Sequence, residues 1–242
     1  MPNCPDCHSH KIKKNGFTHY GKQNHKCKDC GRQFVLDNQH TVDESLREIA
    51  RRALCERLSL RAICRLIGVS LTWMCGFAVE TWATAPDDLG LSPELSKLRS
   101  SKLLKIMGLQ LDEAWSFVGQ KRNKAWIWVA FEPGKKQVVA FHIGGRGIDS
   151  AKALYRKIPR HMRRWCYFET DEWEAYCSII PFDRHYVGKD ETYHVEGFWS
   201  GVRARVSRLV RKSLSFSKNW KNHLAAIRYY FWQFNLEQQP YI

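Results

Sequence analysis

The chain has 242 residues, 44% of them apolar and ten of them Trp, enough to bury a globular core. Its 39 Lys and Arg outnumber 24 Asp and Glu, giving a formal charge of +15, and an excess of that size points to a polyanionic partner. Apolar runs such as 125–131 are strand-length and too short to span a bilayer, and Met1-Pro2-Asn3-Cys4 opens no signal peptide. That leaves no membrane partner, and nine Cys fit a reducing cytoplasm better than a disulfide scaffold.

Cys4-Pro5-Asp6-Cys7 and Cys27-Lys28-Asp29-Cys30-Gly31 form two CxxC knuckles, with nineteen residues between Cys7 and Cys27. That spacing lies in the zinc-ribbon range. Each knuckle presents two thiolates at one turn, and together they complete a tetrahedron around Zn²⁺. With Cys4, Cys7, Cys27 and Cys30 filling all four positions, the site is predicted to be structural. His8, His10, His19 and His25 read as part of a polar, basic face with Lys11, Lys13, Lys14, Lys22, Lys26 and Lys28. A region of this size (1–40) buries little core, so zinc is expected to supply its fold. The other five cysteines (Cys55, Cys64, Cys75, Cys166, Cys177) read as reduced core residues.

From 41 to 84 the pattern becomes helical. Leu46, Ile49, Ala50 and Ala53 keep helical spacing. Ser59 can cap a short helix, Gly68 supplies a turn, and Ser70 can cap the next helix. This is the grammar of a helix-turn-helix, whose second helix enters the major groove. On that reading Ser70, Thr72 and Trp73 open the recognition helix; the alternative is a plain helical hairpin. Residues 85–104 hold Pro86, Gly90 and Pro93 and read as a linker or boundary.

In 105–242 three strands are predicted at 105–118, 124–132 and 137–143, joined by turns as an antiparallel meander. A helix at 148–158, a strand at 165–170, a short helix at 172–180, a strand at 185–187 and a long helix at 195–213 follow. The order is that of a ribonuclease-H-like fold, so the class is mixed α/β. Asp112 lies in the first strand, and Asp171 closes the fourth. Glu196 follows twenty-four intervening residues later, and Arg203 lies seven beyond it. Positions seven apart fall on one helix face, with Ser200 and Ser207 beside them. Trp199, Val202, Val206 and Leu209 form a separate apolar stripe. Converging carboxylates repel one another unless cations neutralise them, and hard oxygen ligands suit Mg²⁺ or Mn²⁺. Glu113 and Glu169 adjoin these positions but alternate in facing; periodicity alone does not decide which of each pair faces a metal. Asp149 reads as a helix cap, and Asp183, Asp190 and Glu191 as loop acids. Arg205, Arg208, Arg211 and Lys212 are candidate DNA contacts on the long helix. Arg160, Arg163, Arg164, Lys218, Lys221 and Arg228 are candidate phosphate contacts elsewhere. Tyr229, Tyr230, Phe231, Trp232 and Phe234 read as core or dimer surface.

Taken together, the two CxxC knuckles, the helix-turn-helix, Leu-Asp-Glu-Ala-Trp-Ser-Phe-Val, Thr-Asp-Glu-Trp-Glu-Ala-Tyr and Val-Glu-Gly-Phe-Trp-Ser resemble an insertion-sequence-one-type DDE transposase over nearly the whole chain. The resemblance implies that Asp112, Asp171 and Glu196 are catalytic carboxylates holding Mg²⁺ or Mn²⁺, with Arg203 as the basic residue on the Glu helix. Tyr193 and His194 stand close to Glu196 in sequence. It also implies binding to terminal inverted repeats and target double-stranded DNA, a homodimer or larger assembly, and a place in the bacterial cytoplasm at the nucleoid. In that family the DNA-binding and catalytic halves are often encoded in two frames; here both are continuous. A repressor with an inactive nuclease-like domain, and a metal-dependent nuclease that does not join ends, are the rival readings.

Overall fold

A computed structural model describes residues 3–18, 21–36, 42–188, 192–209 and 215–239. The chain divides into two compact units, 1–47 and 48–242.

The first unit is built on β1 (Ile12–Phe17), β2 (Gln23–Cys27) and β3 (Gln33–Val35), paired antiparallel in that order. Its strands bury little, and the buried apolar positions are the ligand candidates Cys4 and Cys27 themselves. His25 departs from the expected basic surface. It sits two residues before Cys27 on β2, so it shares the inward face, where it is buried and stacks on Phe34. His19 lies outside the described residues.

Helix α1 (Glu44–Ala53) is followed by α2 (Leu60–Ile67) and α3 (Leu71–Ala83), which meet at 113°. The local chemistry sets this turn. The Ser59 hydroxyl accepts the Ala62 N–H at 3.1 Å, and the Ser70 hydroxyl accepts the Trp73 N–H at 3.2 Å. Each such cap is worth about 1 kcal/mol. Gly68 ends α2 with φ 73°, a left-handed conformation that costs other residues more. Helix α3 buries Met74, Phe77, Ala78, Thr81 and Trp82 and packs on α10 (Trp220–Gln238).

Residues 85–104 are packed rather than loose. They carry α4 (Pro93–Ser96) and α5 (Ser101–Lys105) and bury Leu89, Leu91, Leu95 and Leu104. The Asn235 amide donates to the Leu89 carbonyl, and the Ser92 N–H donates to Gln137. Pro and Gly mark turns here, but four leucines at irregular spacing tie the turns to the core.

The large sheet holds β4 (Gly108–Phe117), β5 (Lys124–Glu132), β6 (Gln137–Gly144), β7 (Tyr167–Thr170) and β8 (His185–Val187) in the order β6-β5-β4-β7-β8. The first three strands pair antiparallel; β7 and β8 join parallel. Between β6 and β7 the chain crosses over through α6 (Ile148–Lys157) and α7 (Arg160–Trp165), and α8 (Glu174–Cys177) follows β7. Gly147, not Asp149, takes the N-cap position of α6, with no side-chain cap. One sheet face packs Leu109, Leu111, Trp128 and Ala130 against Ala151, Leu154 and Tyr176. The other meets α9 (Tyr193–Arg205) and α10 through Phe131, Phe141, Phe198, Phe231 and Phe234. Tyr229, Tyr230 and Phe231 are buried, in line with the core reading of that helix.

Helix α9 is shorter than its predicted span. Val206 takes an extended ψ of 100° and ends it, and a 3-10 turn at Ser207–Leu209 follows. Val206 and Leu209 still reach the core, but Ser207 does not continue the Glu196–Arg203 face. Among the described residues no single helix is long and apolar enough to cross a membrane. The five cysteines outside the knuckles split: Cys55 and Cys166 are buried, Cys64 is partly buried, and Cys75 and Cys177 are exposed.

Candidate carboxylate site and cysteine knuckles

Parallel pairing of β4 with β7 sets Gly108 beside Tyr167, Leu109 beside Phe168 and Gln110 beside Glu169. Two residues further, the same register brings Asp112 next to Asp171, where β7 has ended. Ligand sites of open α/β sheets lie in this position, beyond the carboxyl ends of parallel strands.

Gln110 decides which face carries the site. Its amide donates to the Glu169 carboxylate at 2.8 Å, and its carbonyl accepts the Val195 N–H of α9 at 2.9 Å. Asp112 lies two residues beyond Gln110 and shares its face, as Asp171 does relative to Glu169. Glu196 follows Val195 on the helix that Gln110 grips. Asp112 therefore faces α9 while Glu113 faces away, and the Asp171 and Glu196 charges both act on Asp112.

Their electrostatics match. Burial pushes the Asp112 carboxyl up to about 7; the Glu113 N–H, which donates to its Oδ1 at 2.8 Å, offsets part of the rise, and the Glu113, Asp171 and Glu196 carboxylates add to it. Asp171 accepts the Trp173 N–H at 3.1 Å. Among the described residues no ion pair with Lys or Arg is formed by Asp112, Asp171 or Glu196, whereas Glu113 has one. Among the described residues the cysteines are brought together as a metal-holding group, and the three carboxylates are not. Arg203 is exposed on α9, and the exposed Tyr193 ring lies 3.8 Å from that of His194.

Glu113 belongs to the opposite face. Tyr176 donates to it at 2.9 Å and Arg146 at 3.1 Å. The Arg146 guanidinium lies 4.6 Å from the Trp126 ring and 4.2 Å from the Trp173 ring, a cation–π arrangement. Burial raises the Glu113 pKa, and these two donors pull it back. Sequence reasoning missed both Gln110 and this group. A buried polar residue inside an apolar strand was the available signal for Gln110. No local signal joins Arg146 to residues 33 positions away.

In the first unit Cys4, Cys7, Cys27 and Cys30 place their sulfurs within 4.8 Å of one another. Zinc–sulfur bonds of about 2.3 Å in a tetrahedron need sulfurs close to 3.8 Å apart; the Cys4–Cys30 and Cys7–Cys27 pairs stand at 3.5 and 3.6 Å. Backbone N–H groups of Cys30 and Asp29 hold the Cys27 thiol down to about 6, and those of Cys7 and Asp6 lower Cys4. The neighbouring thiols in turn push Cys30 up to about 12 and raise Cys7, the mutual repulsion of four close sulfurs that a bound metal would relieve.

A family profile described as IS1 transposase matches residues 105–235, more than half of the chain and all of the carboxylate site. The chain belongs to the IS1 transposase family. Insertion element iso-IS1n protein InsB of Shigella dysenteriae is 32% identical over 115 residues, covering 47% of this chain and 86% of that protein. Insertion element IS1 protein InsB of Shigella sonnei is 32% identical over 126 residues, 52% of this chain and 94% of the relative. Insertion element IS1 4 protein InsB of Escherichia coli K12 matches over the same share of this chain, at 32% identity and 74% of its own length.

Within this IS1-family chain the predicted DNA contacts fare unevenly. Thr72 is exposed at the start of α3, while the Ser70 hydroxyl is occupied by its cap. Trp73 is half-buried and stacks on Phe77 at 4.7 Å. Arg205 donates to Glu237 at 2.6 Å and to Glu56 at 3.2 Å. Arg208 lies 4.4 Å from the Trp82 ring and donates to Ser217 at 2.9 Å. Both guanidiniums are thus engaged inside the protein, and Arg208 lies past the end of α9 at Arg205. Arg228 pairs with Asp87. Arg211, Lys212, Asp190 and Glu191 lie outside the described residues.

Proposed function

We propose that this transposase cuts and joins DNA at the Asp112–Asp171–Glu196 site, after recognising the element's terminal inverted repeats through its zinc ribbon and helix-turn-helix. The carrying observation is the Gln110 bridge, which brings the two strand carboxylates to the helix that bears Glu196. A three-strand meander followed by two parallel strands with helical crossovers supports a ribonuclease-H-like catalytic domain. The 113° bend across Gly68 lies in the range of helix-turn-helix units.

Three oxygen donors without a protein cation partner fit Mg²⁺ or Mn²⁺, and Asp112, Asp171 and Glu196 would hold it. When bound, such ions supply activation of the attacking oxygen and charge compensation at the leaving oxygen. Arg203, exposed on the helix that bears Glu196, would steady a phosphate, and Tyr193 and His194 precede Glu196 on the same helix. The four cysteines would hold Zn²⁺ as a structural ion. Work on two DNA ends calls for a homodimer or larger assembly.

The test is cleavage of an end-containing duplex and joining of a pre-cut 3′ end, both with Mg²⁺. Asp171→Asn and Glu196→Gln each abolish both reactions while the circular dichroism spectrum and end binding persist. Arg203→Ala lowers both rates less completely, because a phosphate clamp positions substrate and leaves the nucleophile in place. Joining at the wild-type rate by Glu196→Gln would show that another acid completes the site. Cleavage without joining in the wild type would favour the nuclease reading, and no reaction at all would favour the repressor.

A further inference from the structure

A basic pocket opens at the end of the sheet opposite the carboxylates. Arg99, Arg160, His161, Arg164 and Trp165 line a cavity of about 310 Å³. Its parts are held by the protein. Arg99 donates to the Ser96 and Leu98 carbonyls, and the His161 ring shares a hydrogen bond with the Leu95 carbonyl. Lys105 and Arg164 bring their charges to 5.3 and 5.1 Å from the Trp165 ring centre.

Two features bear on its use. First, its cations have no paired acid among the described residues. Arg52, Arg146, Arg205 and Arg228 each reach a carboxylate, but among the described residues Arg160, Arg164 and Lys105 form no ion pair. An aromatic ring steadies cations without cancelling their charge. Second, the pocket cannot serve the carboxylates directly. Helix α5 leads into the start of β4 and α7 into the start of β7, whereas Asp112 and Asp171 lie four residues on from Gly108 and Tyr167. At about 3.3 Å per residue, roughly 13 Å of strand separates the two ends, with the helices beyond.

We propose that this pocket grips the phosphate backbone of duplex DNA as a second DNA-contacting surface, independent of base sequence. The proposal rests on the reading of this chain as an enzyme acting on DNA. Its cations are exposed and spread over three chain segments, which suits successive phosphates along a strand; a small anion would call for donors converging in an enclosed site. The DNA is either the flank of the end being processed or a separate duplex, and both offer the same phosphates.

The experiment measures binding of the full chain to a random-sequence duplex across a salt series. Each phosphate contact contributes about 0.9 to the slope of log affinity against log salt. Arg160→Ala with Arg164→Ala therefore flattens the slope by about 1.8, so that between 50 and 200 mM salt the wild type loses about twelve-fold more affinity than the variant. Arg160→Lys with Arg164→Lys restores the slope, as does no variant that merely unfolds. If the alanine pair melts early, Arg99→Ala with Lys105→Ala, both exposed beside the pocket, provides the same readout. An unchanged slope in folded variants overturns the proposal, as does full suppression of the effect by millimolar inorganic phosphate. An effect seen only on end duplexes with added flanking base pairs identifies the flank; one seen on an added second duplex identifies a separate DNA. Failure of the transposase reading shows elsewhere, as wild-type protein that neither cuts nor joins while the slope difference remains.

Discussion

Replacing Asp112 by Asn is expected to destroy catalysis and yet stabilise the metal-free protein. The Asp112 carboxyl is held at about 7 in the fold by burial and by three neighbouring carboxylates, against 3.8 for an unperturbed group. The unfolded chain releases this proton near 3.8, the folded chain near 7. Stability tied to the group is therefore complete below about 4, declines as pH rises through that window, and levels off above 7. The difference of about three pKa units corresponds to about 4 kcal/mol at most. Asn keeps the Oδ1 that accepts the Glu113 N–H and cannot ionise. In EDTA, Asp112→Asn should then gain roughly 2–4 kcal/mol over wild type between pH 4 and pH 8. For a unit of this size that is on the order of 4–12 °C in melting temperature. Thermal melts of both proteins at the two pH values, with and without Mg²⁺, provide the assay. Mg²⁺ should raise the wild-type melting temperature and leave the variant unmoved. An Asn variant that melts no higher than wild type at pH 8 in EDTA would refute the reading that burial, with its neighbours, disfavours the charged form of this carboxylate.

Three further outcomes follow from the packing. Chelation of zinc, or Cys27→Ser, should unfold the first unit while the second keeps its circular dichroism signal; a first unit that keeps amide dispersion by NMR after zinc removal would contradict the ligand assignment. His223 is fully buried against Ser217, and burial aided by Arg208 depresses its pKa to about 4. Its contribution is present above about 6.5 and lost as pH falls toward 4, about 3 kcal/mol in all, so acid denaturation of His223→Asn should show a shallower slope over that range. At Gly108 an added Cβ would stand 2.6 Å from the Tyr167 ring, so Gly108→Ala should cost about 1–3 kcal/mol and depress strand transfer by shifting β7 against β4. Chemical denaturation checks the cost, and pairing it with Tyr167→Ala should recover part of it.

Much of the frame was legible in the sequence because its signals are local. The CxxC knuckles, the serine caps around Gly68 and the turns between the meander strands each act within a few residues, and the structure realises them there. The 3-10 turn after Arg205 was hidden because Val206 and Leu209 satisfy helical periodicity whether or not the helix continues. Helical spacing turns Arg208 outward, while the turn folds it over Trp82. Residues 85–104 misled in the opposite sense, since Pro and Gly announce turns but do not reveal that Leu89 and Leu95 are buried. The facing of Asp112 against Glu113 needed Gln110, whose two partners lie on other elements 59 and 85 residues away.

Adjacent acids on β4 carry opposite fates. Glu113 has a resident arginine clasped between two tryptophans, and Asp112 has no cation of its own. Only the pleat of the strand tells them apart, since a slip of one residue would present the paired acid to the helix and send the unpaired one to the tryptophans. Which of the two acids faces α9 is thus stored in the ladder that pairs β4 with β5, from Gln110–Phe131 through Phe117–Lys124. If the proposed metal site is right, substitutions along that ladder would change activity by changing which carboxylate faces α9.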